Sequence, residues 1–192
     1  MIFATHNPNK LREVNEIIGT RFRLLSLADV GFIDDIPEPH ETLHENALEK
    51  ARILYRKFNA NVIAEDTGLE TDALNGQPGV RTARYAGEDK SPQANMQLLL
   101  QQLEGCTQRT AQFRTVFALI LNGNEYCFEG ILRGTIAYQV LGEGGFGYDP
   151  IFIPEGYQKT FAQMSSTEKN NISHRAKAAK QLADFLEKQV NI

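Results

Sequence analysis

The chain has 192 residues, of which 42% are hydrophobic and 23% are charged, as in an ordinary water-soluble globular protein. Its net charge of −4 argues against broad binding to nucleic acids or acidic membranes, although a local basic cluster or a metal can still bind an anion. No apolar run approaches the ~20 residues of a membrane helix, and the polar stretch His6–Lys10 comes too early for a signal peptide. Cys106 and Cys127 lack CxxC spacing and a neighbouring histidine cluster, so we expect reduced thiols in a cytoplasmic protein.

The first predicted elements are an apolar strand, Ile2–Ala4, and a helix, joined by a polar turn that we call the N-terminal turn (residues 5–10). The helix is predicted by apolar residues at helical spacing: Leu11, Val14, Ile17 and Ile18. A helix N-terminus has free N–H groups and a partial positive charge, which favour phosphate oxygens. Thr5, Asn7 and Lys10 would add donors and a cation, although the pattern also fits an ordinary strand-to-helix turn.

The next segments are a predicted strand at 22–25 and an acidic, proline-punctuated stretch at 29–41, which we expect to be exposed and call the acidic loop. Thr42 followed by Glu45 is a capping-box signature, which predicts that a helix starts here. Glu38 in the acidic loop is a candidate metal carboxylate, and Lys50 on the helix is a candidate phosphate ligand. The alternative for both is a solvated surface side chain.

A short buried strand, Asn61–Ala64, is expected to end in the sequence Glu65-Asp66-Thr67-Gly68. Carboxylates at the end of a buried strand, beside a hydroxyl and a glycine, are typical of a divalent-cation site, and Mg²⁺ prefers hard oxygen ligands. The alternative is an Asx-type turn that closes the strand.

The centre of the chain predicts a helix and a hairpin. Ser91 followed by Pro92 is a helix start, and the Asn122-Gly123 pair predicts a hairpin turn between strands at 112–121 and 125–140. The first of these strands is apolar on both faces, so we expect it to be central. Because helices and strands do not alternate strictly, we expect an α/β or α+β fold with a mixed sheet that is not doubly wound.

Two later segments could contact a nucleotide base. The glycine-rich stretch 142–150 fits neither a Walker loop nor a dinucleotide-binding fingerprint, but its aromatic residues could form a flat pocket wall. The final helix is expected from about Ile172, with Ser173 as its cap. Lys169, His174 and Arg175 at its start would donate to a keto group, which adenine lacks. The alternatives are a β-bulge or hairpin loop and a basic helix start without a role.

Taken together, these segments resemble the inosine triphosphate pyrophosphatase family. The matching stretches span nearly the whole chain and are ATHNPNK (4–10), ENALEKA (45–51), AEDTGLETDAL (64–74), GQPGVRTARYAG (76–87), GGFGYDPIF (144–152) and EKNNISHRAKA (168–178). The resemblance implies an elongated α/β fold of one domain, 1–192, with two lobes, a mixed and strongly twisted sheet flanked by helices, and a nucleotide cleft between the lobes. It also implies a magnesium-dependent homodimer that hydrolyses ITP, dITP and XTP to the monophosphate and pyrophosphate.

The resemblance carries roles over by position. It implies that Asp66 is the catalytic residue and that Glu38 and Asp66 bind the metal. It implies that the substrate contacts are Thr5, His6, Asn7, Pro8, Asn9, Lys10, Lys50, Thr67, Phe146, Gly147, Tyr148, Asp149, Lys169, His174 and Arg175. The surroundings of Glu38 depart from the family pattern, and Glu65 replaces a common Asp, so either glutamate remains a candidate for the second metal ligand.

Two other functions remain open at this stage. One is a nucleotide-binding regulatory module without hydrolysis, which explains the N-terminal turn and the base pocket but does not need Asp66 and Glu38 near the phosphates. The other is a house-cleaning pyrophosphatase for other modified nucleotides.

Overall fold

The computed structural model describes residues 1–18 and 22–190. Five α-helices and six strands occur in these ranges. In chain order they are β1 (Ile2–Ala4), α1 (Pro8–Ile18), α2 (Leu43–Phe58), β2 (Val62–Thr71), β3 (Pro78–Gly79), α3 (Pro92–Gln102), β4 (Thr110–Leu121), β5 (Asn124–Ile136), β6 (Phe152–Pro154), α4 (Ser166–Ile172) and α5 (His174–Val190).

The six described strands form one mixed sheet in the order β1, β2, β4, β5, β6, with β3 paired to β2. β1 runs parallel to β2, whereas β3 is antiparallel to β2 and β6 is antiparallel to β5. β4 lies in the centre, and its residues 116–120 are all buried, as the two apolar faces of this strand predicted. The mixed α/β sheet expected from the sequence is therefore confirmed.

Local sequence signals explain how several elements begin. Thr42 Oγ1 accepts a hydrogen bond from the N–H of Glu45 (3.2 Å) and caps α2. Ser91 Oγ caps α3 in the same way, and Pro92 occupies the first turn, where no N–H is needed. Asn122 and Gly123 both have positive φ, as a tight hairpin turn between β4 and β5 requires.

Two predicted strands differ from the observed ones. The segment 22–25 is not a strand, because it pairs with β1 through a single parallel bridge between Leu25 and Ile2. The second hairpin strand ends at Ile136 instead of residue 140. Arg109 donates to the carbonyls of Ile136 and Ala137 (both 2.8 Å). These two carbonyls therefore bond to a side chain and not to a neighbouring strand.

The predicted turn after Asn61–Ala64 is also wrong. β2 continues to Thr71, because its later residues pair with β3, Leu69 opposite Gly79 and Glu70 opposite Pro78. The Glu-Asp-Thr-Gly sequence therefore lies inside a strand and not at its end. Pairing with a segment ten residues away overrides the turn signal of the local composition.

The final helix expected from about Ile172 is α5, which begins at His174, but a separate short helix, α4, precedes it. Ser165 caps α4 by accepting from the N–H of Glu168 (3.2 Å), so the helical region starts well before Ile172. Ser173 has an extended backbone (ψ 154°) and separates the two helices. The start of α5 lies close to β5, since a Cβ on Gly130 would stand 2.0 Å from the carbonyl oxygen of His174.

The chain divides into two compact units. The first contains Met1–Asp66, Thr115–Gly130 and His174–Ile192, and the second contains Thr67–Arg114 and Ile131–Ser173. Each has its own core, with Phe3 stacked on Phe117 in the first and Phe113 against Phe152 in the second. The organisation of 1–192 as one domain with two lobes stays a prediction. Among the described residues, no helix has the length and apolar character needed to cross a membrane.

Candidate active site

The N-terminal turn is held by side chains that bond to its own backbone. Thr5 Oγ1 accepts from the N–H of Asn7 (3.1 Å), and Asn7 Oδ1 accepts from the N–H groups of Asn9 (2.9 Å) and Lys10 (3.3 Å). These bonds cap α1, which begins at Pro8. The hydroxyl proton of Thr5 and the amide NH₂ of Asn7 are then among the side-chain donors that this turn can offer to a ligand.

A second group of predicted residues forms an acid–base cluster in the first unit. Lys50 Nζ on α2 lies 2.8 Å from Glu38 Oε1 in the acidic loop and 2.8 Å from Asp66 Oδ1 on β2. Only 6% of the lysine side chain is exposed, so the alternative of a solvated surface lysine is wrong. One buried ammonium group therefore holds together the two carboxylates that the sequence suggested as metal ligands.

The charges of this cluster do not balance, and its pKa values reflect that. Burial raises the pKa of Asp66; the charges of Lys50 and Lys10 oppose this effect, whereas the nearby Glu38 adds to it. For Lys50, burial alone would lower the pKa, but the charges of Asp66 and Glu38 outweigh it and raise the pKa above its usual value. Both groups thus bind protons more tightly, as expected where two carboxylates share one cation.

The donor set of the cluster fits a magnesium ion. Asp66 Oδ2 is buried and has no hydrogen-bond partner within the described part of the chain. Residues 1–18 and 22–190 contain no group of three or more His, Cys, Asp or Glu side chains that could hold a metal unaided. Mg²⁺ does not need one, because it is usually bound through one or two carboxylates together with waters and substrate phosphates. Asp66 and Glu38 match this mode.

Glu65, the neighbour of Asp66 on β2, belongs to a different network. Arg175 Nη2 donates to Glu65 Oε1 (2.8 Å), and Arg175 Nη1 donates to Glu13. Lys10 Nζ lies 3.4 Å from Glu65 Oε1. Burial alone would lower the pKa of Arg175, but the charges of Glu65 and Glu13 outweigh it and raise the pKa. Glu65 is therefore occupied by two cations, which favours Glu38 over Glu65 as the second metal carboxylate.

In the second unit, the glycine-rich stretch forms a tight turn closed by a buried ion pair. Asp149 Oδ2 accepts from Lys169 Nζ (2.6 Å) and from the N–H of Phe146 (2.8 Å). Lys169 Nζ lies 4.6 Å from the ring centroid of Phe146 and 5.3 Å from that of Phe161. Gly145 has φ +71°, and a Cβ there would stand 2.1 Å from Asp149 Oδ2, so the turn requires glycine.

Tyr148 in the same stretch is anchored in the core of the second unit. Its hydroxyl donates to the carbonyl of Thr82 (2.9 Å), and burial raises its pKa well above the usual range. Phe146 is half-buried, so it is the more exposed of the two aromatic residues in this stretch and the candidate for stacking on a base.

The predicted site residues divide between the two units. The first unit contains Thr5, His6, Asn7, Pro8, Asn9, Lys10, Glu38, Lys50, Asp66, His174 and Arg175; the second contains Thr67, Phe146, Gly147, Tyr148, Asp149 and Lys169. Within the first unit, the structure brings Glu38, Lys50 and Asp66 into direct contact. The guanidinium of Arg175 is directed at two glutamates, and its role as a base contact stays a prediction.

The sequence analysis missed Glu13, which is buried and bonded to Arg175. A signal was available, because Lys10 and Glu13 are three residues apart on α1 and so share one helix face. Glu13 is also next to the core residue Val14, so it could have been suspected of having a buried partner.

Comparison with known proteins adds the family. A family model described as the Ham1 family matches residues 1–185. The chain belongs to the Ham1 family. It is 49% identical over 185 residues to a dITP/XTP pyrophosphatase of Flavobacterium psychrophilum, covering 96% of this chain and 97% of the relative. It is 48% identical over 190 residues to a dITP/XTP pyrophosphatase of Bacillus subtilis, covering 97% and 96%.

Solved structures agree with this family and with the fold. The Staphylococcus aureus Ham1 protein superposes with a TM-score of 0.89 at 39% identity, covering 98% of both chains. A nucleoside-triphosphatase / dITP/XTP pyrophosphatase of Mycobacterium abscessus superposes with a TM-score of 0.77, also at 39% identity, covering 94% of this chain and 97% of that one. The family resemblance inferred from the sequence motifs is thus confirmed.

Proposed function

We propose that this Ham1-family chain is an enzyme that hydrolyses non-standard purine nucleoside triphosphates, dITP, ITP and XTP, to the nucleoside monophosphate and pyrophosphate. Relatives that match it over nearly its full length are named dITP/XTP pyrophosphatases. The observation on which the proposal mainly depends is the buried cluster of Lys50, Glu38 and Asp66, with an unpartnered oxygen on Asp66. This cluster has an excess negative charge inside the protein, which a bound cation would neutralise.

Asp66 and Glu38 would hold a magnesium ion, which when bound neutralises phosphate charge and lowers the pKa of coordinated water. Lys50 keeps the two carboxylates in place by bonding to one oxygen of each. It also limits their mutual repulsion before the ion binds. Its own charge adds to the positive field around a bound phosphate group.

The N-terminal turn is the proposed binding site for the triphosphate. The N-terminus of α1 favours anions through its partial positive charge, and Thr5 and Asn7 can add neutral donors. Lys10 is 20% exposed and bonded only loosely to Glu65 (3.4 Å), so its ammonium group can turn toward a phosphate. A triphosphate brings about four negative charges, which these groups would share with the metal.

Asp66 is the proposed catalytic residue because its Oδ2 can accept a hydrogen bond from the attacking water. An ordinary aspartate, with a pKa of about 3.9, is a weak base at neutral pH. We expect the main contribution of Asp66 to be the orientation of the water, with charge stabilisation supplied by its surroundings.

The purine base is assigned to residues of the second unit, and the base contacts that the resemblance implied for His174 and Arg175 stay predictions. Phe146 offers a ring face, and Lys169 offers a donor that is already partly neutralised by Asp149. Donors of this kind pair with the 6-keto group of hypoxanthine or xanthine. With adenine, each would face an amino group and lose a hydrogen bond, at a cost of about 1–3 kcal/mol per buried donor.

The decisive experiment is a turnover panel with pyrophosphate detection, using dITP, ITP, XTP, ATP and GTP with Mg²⁺ and with EDTA. We expect fast pyrophosphate release from dITP, ITP and XTP, slow release from ATP and GTP, and none with EDTA. Tight binding without release would favour the regulatory module, and preferred turnover of another modified nucleotide would favour the broader house-cleaning role. The homodimer and the cytoplasmic location remain predictions, which light scattering and cell fractionation would check.

A further inference from the structure

His6, a residue of the N-terminal turn, contacts the acidic loop. Its Nε2 lies 3.0 Å from the carbonyl oxygen of Asp34, and its ring stacks on Phe32 with centroids 6.2 Å apart and planes at 23°. A carbonyl oxygen can only accept, so Nε2 must be the protonated nitrogen of this contact. The His6 side chain thus contacts the loop in two ways: Nε2 donates a hydrogen bond to Asp34, and the ring stacks on Phe32.

The loop is anchored around this contact by further side chains of α2. Phe32 is buried and meets Phe58 edge to face at 6.2 Å. Lys57 Nζ lies 4.5 Å from the Phe32 ring centroid and 3.5 Å from Asp34 Oδ2. His6, Phe32 and Lys57 together fix the beginning of the segment 34–40.

The end of the same segment is fixed separately. Asn46, which is buried on α2, accepts from the N–H of His40 (2.9 Å) and donates to its carbonyl (3.1 Å). Glu38 lies between these two anchors and bonds to Lys50. The segment that carries the proposed metal carboxylate is therefore held at Asp34 and at His40.

The segment between the anchors is stiff. Pro37 and Pro39 flank Glu38, and a residue before proline is restricted to extended conformations. Neither proline has an N–H that could form a hydrogen bond with a neighbouring strand. Because the prolines restrict the backbone on both sides of Glu38, a shift at Asp34 would be passed on to the Glu38 carboxylate.

We propose that His6 is a positioning residue, which sets the place of Glu38 beside Asp66 by anchoring the acidic loop to the N-terminal turn. This role rests on the proposed function, because that function assigns Glu38 to a metal ion. It differs from the substrate contact that the sequence resemblance implied for His6. It also makes metal affinity depend on a residue that does not itself ligate the metal.

The test compares His6→Ala, His6→Phe and the control His44→Ala, an exposed histidine of α2 outside the site. His6→Ala should raise the Mg²⁺ concentration for half-maximal turnover about 10-fold, the lower end of the effect of losing a group that orients a metal ligand. His6→Phe keeps the ring stack but lacks the donor, so its increase should be smaller. The control His44→Ala should keep the wild-type Mg²⁺ requirement and the wild-type KM for dITP.

Two readouts do not depend on turnover. Mn²⁺ alone, titrated by electron paramagnetic resonance, should bind more weakly to His6→Ala than to wild type and His44→Ala. Hydrogen exchange at the amides of residues 33–36 should be faster in His6→Ala, because their anchor is lost.

Unchanged exchange in these amides would overturn the proposal. So would a raised KM at saturating Mg²⁺ with an unchanged metal requirement, which would instead make His6 a phosphate contact. A wild-type protein without hydrolysis would refute the proposed function, and loop exchange in the variants would still decide whether His6 anchors the loop.

Discussion

Two buried lysines, Lys50 in the first unit and Lys169 in the second, show how differently the two units treat charge. The side chain of each is only 6% exposed. Lys50 faces two carboxylates, Glu38 and Asp66, and leaves their cluster with a formal charge of −1. Lys169 pairs with the carboxylate of Asp149 and lies over two aromatic rings, and this ion pair is formally neutral.

The difference indicates what each cluster can accept. An excess of carboxylate oxygens, one of them without a partner, is suited to a divalent cation and the phosphates that accompany it. A neutral ion pair beside an aromatic face is suited to a flat uncharged ring, which would be repelled by neither charge. Substitutions in the first cluster should therefore change the chemical step, and substitutions in the second should change binding.

The strongest test of this contrast is Asp66→Asn. We expect the turnover number for dITP to fall by about 10³-fold or more, as when a preorganised group at the reacting centre is removed. The melting temperature should not fall, because asparagine can still accept from Lys50 while the excess negative charge disappears. Steady-state kinetics and thermal unfolding measure the two effects.

Asp89→Asn, at an exposed aspartate outside the clusters, is the matched control and should behave as wild type. If Asp66→Asn unfolds at a much lower temperature, the cluster is a structural ion pair and the catalytic assignment fails.

Besides weakening base binding, Lys169→Met in the second cluster should lower stability. Removing the ammonium group leaves Asp149 buried without its cation, which should lower the free energy of unfolding by about 3 kcal/mol. Adding Asp149→Leu should recover part of the loss, since the uncompensated charge is then gone. Urea unfolding of both single variants and the double variant measures this coupling, and strictly additive losses would contradict the description of a paired cluster.

Phe146→Ala tests the assignment of base binding to the second cluster. Base stacking on an aromatic ring contributes about 1–3 kcal/mol in nucleic-acid complexes, so KM for dITP should rise roughly 10-fold with little change in kcat. Tyr157→Ala, at an exposed aromatic of the same unit, serves as the control. A fall in kcat with constant KM would place Phe146 with the chemical step instead.

The sequence predicted best those features that depend on near neighbours. The cap at Thr42, the Ser91-Pro92 helix start and the Asn122-Gly123 turn each need only a few residues, and all three were confirmed. Features that depend on distant partners were not predictable in this way. β2 extends past Gly68 because β3 pairs with it, which no property of the local sequence reveals.

The site shows the same limit. Motif resemblance selected Glu38, Lys50 and Asp66, but it could not show that Lys50 is buried between the two carboxylates. The partners of Arg175 are Glu65, 110 residues earlier, and Glu13, 162 residues earlier. Contacts over such distances follow from tertiary packing, so from the sequence alone Arg175 was a candidate donor to the base.

The smallest expected effect comes from Glu168, the exposed neighbour of Lys169 on α4. The hydrogen bond from Lys159, followed by those from the Ser165 backbone and hydroxyl, lowers the pKa of Glu168 to about 2. Since the folded pKa lies below the unfolded value of about 4.5, the stabilisation is complete above that value and is lost as the pH falls toward 2. Glu168→Gln should therefore lower the melting temperature slightly at pH 7 and not at all near pH 2. Equal differences at both pH values would show that the carboxylate charge does not stabilise the helix that carries Lys169.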